Sequence, residues 1–144
     1  MIADLPQMNS EELKERTKHF ALRVMHLVDA LPKSAKGRAI ASQLIRSGTS
    51  VAANYRAACR GRSRAEFIAK IGVVEEEADE TALWLELIIA DDLLSKKKVQ
   101  SLLDEANELV AIMAASYISA QKNAVRHRAL ASQKSAIRNQ QSKI

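Results

Sequence analysis

The sequence predicts an all-α chain folded as an antiparallel up-down-up-down four-helix bundle, and three observations predict it. Hydrophobic residues make up 47% of the chain but aromatic residues only 3%, so the core is built from Leu, Ile, Val and Ala, as helix-on-helix packing prefers. Only two prolines and four glycines interrupt the chain, and it has neither a sustained period-two alternation nor an Asn-Gly or Asp-Gly hairpin turn. From Leu44 to Leu87 the apolar positions fall into helical stripes, with positive charge in the first half, negative charge dominating the second and a Gly61-Arg62-Ser63 break between them. That pattern is two helices folded back on each other. The 144 residues suit one domain, which at this size buries roughly two-thirds of its unfolded surface.

Residues 1–9 read as a lead-in. Asn9 with Glu12 resembles a capping box, with Met8 and Leu13 as its hydrophobic staple. The first helix then runs to about Leu31, burying Leu13, Thr17, Phe20, Val24, Leu27, Val28 and Leu31, and Pro32 stops it. Ser34 caps the second helix, whose stripe is Ile40, Leu44, Gly48, Val51, Tyr55 and Ala58. Between Asp29 and Glu66 there are eight basic residues and no acidic one.

Gly61 closes the second helix, and Ser63 with Glu66 forms the S-x-x-E box that opens the third. From Glu66 to Asp92 there are nine acidic residues and one basic residue, Lys70. An antiparallel hairpin places Arg46 opposite Glu76, Glu77 and Glu80 as structural ion pairs. The third helix is apolar beyond one face, and Val73, Trp84, Leu87 and Ile88 widen its stripe into an expected oligomer interface. Leu94, Ser95 and Val99 open the fourth helix, which buries Val99, Leu102, Leu103, Ala106, Val110, Met113 and Tyr117. The bundle spans residues 10–123. Residues 124–144 read as a weakly structured basic tail, because the amphipathic pattern fades and no acidic residue follows Glu108.

The chemistry-bearing patterns are mostly absent. A di-iron carboxylate site needs Glu-x-x-His pairs, and the residues three before His19, His26 and His127 are Arg16, Arg23 and Ala124. His19 and His26 are seven apart, whereas helical zinc ligands stand four apart. Cys59 has no second cysteine to pair with, and Gly37, Gly48, Gly61 and Gly72 form no phosphate-binding loop. No metal, cofactor or catalytic residue is expected. Neither a signal peptide nor a bilayer-spanning run is present, so a cytoplasmic, membrane-free protein is expected.

What remains is charge. The formal net charge of +5 favours polyanions. Up-down topology puts Arg56, Arg60, Arg62 and Arg64 at the same end as Lys122, Arg126 and Arg128, which makes these residues the expected phosphate-contacting surface.

Arg46-Ser47-Gly48-Thr49-Ser50-Val51-Ala52-Ala53-Asn54-Tyr55-Arg56, Ser63-Arg64-Ala65-Glu66-Phe67 and Val74-Glu75-Glu76-Glu77-Ala78-Asp79-Glu80-Thr81, with Trp84-Leu85, resemble the bacterial 23S rRNA-intervening sequence proteins. The resemblance covers about residues 10 to 122. Leu83 departs from it, since an aromatic is expected before the tryptophan. The resemblance implies a four-helix bundle assembled into a ring, a homopentamer, with no established enzymatic activity and nucleic-acid binding by analogy with related retroelement proteins. The reading is therefore a non-enzymatic homo-oligomer that binds RNA or DNA, with a structural or protein-binding scaffold of unknown protein partner as the alternative.

Overall fold

The computed structural model describes residues 8–143. It has four helices, α1 (Ser10–Asp29), α2 (Ala35–Cys59), α3 (Arg64–Ala90) and α4 (Lys96–Gln141), and no strand among the described residues. Apart from Met8 and Asn9, the expected lead-in lies outside the described residues.

Local chemistry accounts for three of the four helix starts. Asn9 accepts the Glu12 amide at 2.9 Å and Ser34 accepts that of Gly37 at 3.1 Å. Before α3 the box is reciprocal, since the Ser63 hydroxyl accepts the Glu66 amide at 3.1 Å while the Glu66 carboxylate accepts the Arg62 amide at 2.7 Å. Two otherwise orphaned donors are thereby satisfied. Ser95 occupies the N-cap position of α4 but makes no side-chain cap bond.

The first helix ends at Asp29, two residues before the expected Leu31, yet Leu31 is still buried. The α3–α4 turn carries a positive φ of 54° at Asp92. Its amide bonds to the Ile89 carbonyl, and the Leu93 amide bonds to the Ile88 carbonyl, which is the Schellman pattern with Asp where Gly is usual. Asp92→Gly is expected to raise stability by about 0.5–1 kcal/mol by relieving the left-handed strain; an unchanged urea midpoint would contradict this.

The core is one cluster whose largest fully buried members are Phe20, Leu44, Ile71, Leu85, Ile88, Leu109 and Met113. α3 packs extensively against both α2 and α4, and α1 packs against α2 and, less extensively, against α4. This position explains the broad apolar surface of α3: a helix with two neighbours needs a wide buried arc. Ile88, expected at a subunit interface, is fully buried and belongs to that arc, lying three and seven residues after Leu85 and Thr81.

The expected weakly structured tail is corrected. α4 continues unbroken to Gln141, and its 46 residues span about 69 Å at 1.5 Å per residue, against about 30 Å for the 20 residues of α1. No Gly or Pro occurs between Lys96 and Gln141. Once the packed first half is nucleated, each further Ala, Gln, Lys or Arg needs only propagation. Met113 is the last fully buried residue, and every described residue after Ala124 is exposed.

Candidate functional site

Two sets of charged residues do different work. The first ties helices together. Arg16 on α1 places its Nε 3.0 Å and Nη2 2.7 Å from the two carboxylate oxygens of Glu105 on α4, and Nη2 also lies 2.9 Å from Glu108. Its side chain and that of Glu105 are largely buried, at 18% and 17% exposure. The hydrogen bond to Glu105 outweighs burial and holds the guanidinium pKa well above its usual value. Sequence reading missed this pair. The signal available was Glu105 and Glu108 three apart on one face, but their partner stands 89 positions earlier than Glu105.

Arg46 reaches Glu80 and, at 3.2 Å, Glu77. The hydrogen bond to Glu80 is the main cause that raises its pKa. Glu76 was expected in this set and is corrected: it is exposed and outside the pairing. Glu77 and Glu80, three apart, share the α2-facing side, and Glu76 lies about 100° round the helix from Glu77, on the far side of Glu80, at the solvent edge of that face. Farther along the same helices Lys36 meets Asp91 at 2.7 Å. One residue past Arg46 and Glu80, the hydroxyls of Ser47 and Thr81, both fully buried, lie 2.8 Å apart. Asn54 is half-buried and donates to the Ser50 carbonyl at 2.9 Å, which accounts for this polar residue within its own helix.

Tyr55 is buried, and burial, reinforced by the neighbouring Cys59 thiol, raises its phenol pKa. The neutral phenol is the form the fold favours, so stability from this group is complete below the unfolded pKa of about 10 and falls as pH rises above it towards the folded value. Tyr55→Phe is expected to flatten the loss of Tm above pH 10, and parallel profiles for both proteins would remove the phenol as the cause.

The second set is unpaired. Arg56, Arg60, Arg62, Arg64, Lys122, Arg126 and Arg128 are all exposed, and none takes part in an ion pair among the described residues. The first turns of α3 and the extended part of α4 enclose an open groove of about 1210 Å³. Its basic margin is Arg64, Lys122 and Arg128, joined by His127, and its apolar lining includes Ile68, Tyr117, Ile118 and Val125. The Tyr117 ring is held from two sides. It lies 3.6 Å from where a Cβ on Gly72 would stand, and its hydroxyl accepts from Gln121 at 3.0 Å. Arg56, Arg60, Arg62 and Arg126 do not line the groove, so the structure divides the expected seven cations between a groove and the surface beside it.

The expected interface residues are also divided. Leu87 is 41% exposed, whereas Val73 is half-buried and Trp84 packs partly against the core with its indole N–H sealed from solvent and without a hydrogen-bond partner among the described residues. Leu83, which the sequence reading did not place at an interface, is 49% exposed.

Among the described residues no group of three or more His, Cys, Asp or Glu side chains is arranged to hold a metal ion, and no helix is long and apolar enough to cross a membrane.

The model of the 23S rRNA-intervening sequence protein family matches residues 10–115. A crystal structure from Bacteroides thetaiotaomicron, described as a protein of unknown function from the S23 ribosomal protein family, is 32% identical, with a TM-score of 0.69, and the match covers 73% of this chain and 97% of that one. No curated protein matches the chain significantly. The α4 side of the groove, Tyr117 to Arg128, follows the last residue of the family match. With that match spanning the first three helices and the packed half of α4, the chain belongs to the 23S rRNA-intervening sequence protein family.

Proposed function

We propose that this protein is a non-enzymatic, cytoplasmic homo-oligomer that binds RNA or DNA through phosphate contacts. In this reading it is an antiparallel up-down-up-down bundle assembled into a homopentameric ring. The observation that carries the nucleic-acid reading is the set of exposed cations where α2 ends, α3 begins and α4 runs on, none of them in an ion pair among the described residues, with Arg64, Lys122 and Arg128 brought to one groove. Paired cations such as Arg16 are already neutralised, whereas these must find counterions, and polyphosphate supplies them with an entropic gain from released salt. Contacts of this kind read shape and backbone with little sequence preference.

Support for the antiparallel order comes from paired positions. Lys36 early in α2 meets Asp91 just past α3, while Arg46, later in α2, meets Glu77 and Glu80, earlier in α3. Arg16 and then Arg23 on α1 meet Glu105 and then Ser101 on α4. The ring rests on family membership and on the exposed leucines of α3.

The family description names 23S rRNA, so a structured RNA is the first probe, with a matched duplex DNA beside it. The test is a titration of both across a salt series, using wild type and an Arg56→Ala/Arg60→Ala/Arg62→Ala/Arg126→Ala variant. On duplex DNA the log–log salt slope is expected to shrink by about 0.9 for each phosphate that the variant leaves unneutralised. Absence of binding at low salt would transfer the reading to a protein-binding scaffold, which the apolar lining of the groove favours.

A further inference from the structure

The groove has a lining that phosphates do not use. Ile68, Ile118 and Val125 offer it only aliphatic surface, and a duplex held by its backbone would leave that surface uncovered. An apolar lining whose margin holds Arg64, Lys122 and Arg128 and no acidic residue suits an amphipathic helix with acidic flanks.

The chain itself carries such a helix face. Glu76, Asp79, Leu83, Glu86 and Leu87 stand at i, i+3, i+7, i+10 and i+11 on α3, which places them on one side of the helix. All five are exposed, Leu83 at 49% and Leu87 at 41%, and Glu76, Asp79 and Glu86 make no ion pair among the described residues. The monomer thus leaves uncovered one apolar face bordered by acid and one apolar groove bordered by base. Charge is complementary, and the stripe from Asp79 to Leu87 runs about two helical turns, roughly 12 Å.

We infer that the groove between the start of α3 and the extension of α4 receives the Leu83–Leu87 face of α3 from a second copy of this chain. The inference rests on the homo-oligomer reading and supplies its contact surfaces. Each copy offers one groove and one stripe, so the contact is heterologous and repeats from copy to copy until a ring closes. Arg64, Lys122 and Arg128 then face carboxylates of the neighbour. Arg56, Arg60, Arg62 and Arg126, outside the groove, stay free for phosphate.

The test uses the full chain and light scattering coupled to size exclusion. Leu83→Asp disables the stripe and Val125→Asp the groove. Both side chains are about half exposed or more, at 49% and 57%, so each variant should keep the wild-type helical circular dichroism. Each alone is expected to run as a monomer. Mixed, they should form a heterodimer, because one intact stripe meets one intact groove and the two disabled surfaces cap the pair. A folded Leu83→Asp protein with the wild-type oligomeric mass would overturn this pairing and leave the oligomer reading standing. A monomeric wild type would overturn both. A Val125→Asp protein that keeps its mass but loses RNA affinity would give the groove to nucleic acid and also overturn the pairing.

Discussion

Gly37→Ala is expected to lower stability by about 3 kcal/mol, at the upper end of overpacking costs, and Tm by roughly 10 °C for a chain of this size. After α1 the chain reverses through Leu31, Pro32 and Lys33 and enters α2, and it does so tightly enough that the Pro32 carbonyl lies over the Gly37 α-carbon. A methyl group there would overlap the Pro32 carbonyl oxygen and crowd its carbon, which stands 2.9 Å from the Cβ position. The obstacle is backbone, so no side-chain rotation relieves it. The Gly37 amide also bonds to the Ser34 cap, and a shift large enough to clear the methyl would break that bond.

The same substitution elsewhere has a different sign. At Gly72 the added methyl meets the Tyr117 ring at an ordinary 3.6 Å, so Gly72→Ala should gain up to about 1 kcal/mol from helix propensity. At Gly48 it meets both methyls of Val24 at 2.8 Å, and a β-branched side chain has few rotamers in which to yield. Thermal melts should therefore rank the alanine variants Gly72 above wild type, then Gly48, then Gly37. A Gly37→Ala protein that melts with wild type would show that the turn relaxes freely.

Arg16→Ala is expected to cost about 2–3 kcal/mol, below the 3–5 kcal/mol of a fully buried pair because water still reaches the site. The loss is mainly that of Glu105, whose largely buried carboxylate would face α1 with no cation. Removing both charges should therefore cost less than removing one. The double variant Arg16→Met/Glu105→Leu is expected to melt above Arg16→Ala, and a double variant that melts lower would show that the unpaired Glu105 carboxylate is not the main cost. Arg46→Ala should lower Tm less than Arg16→Ala, since the Arg46 side chain is 47% exposed and water screens its pairing with Glu77 and Glu80. It should still lower Tm more than Arg60→Ala, because Arg60 has no acidic partner among the described residues.

Helical periodicity, capping chemistry and charge blocks are properties of neighbouring residues, and they placed α1, α2, α3 and the start of α4 within a few residues. Asn9, Ser34 and Ser63 announce their helices because a capping hydroxyl or amide needs only the amide three positions on. The clustering of Arg56, Arg60, Arg62 and Arg64 is legible in the same way. Three features were not. The end of α4 was set by propagation from a packed segment, so a fading amphipathic pattern did not mark it. Ile88 went to the core because α3 lies between two helices, a count of neighbours that one helix's periodicity does not contain. The groove exists because the extended α4 runs on beside the first turns of α3, which brings Arg64 and Lys122 to one margin across 58 positions of chain. The elements and their charge follow from interactions of a few residues' reach and are therefore legible in the chain. Which glycine must stay a glycine, which cation is neutralised by a carboxylate and which stays exposed depend on the register between helices, and only the folded structure shows them.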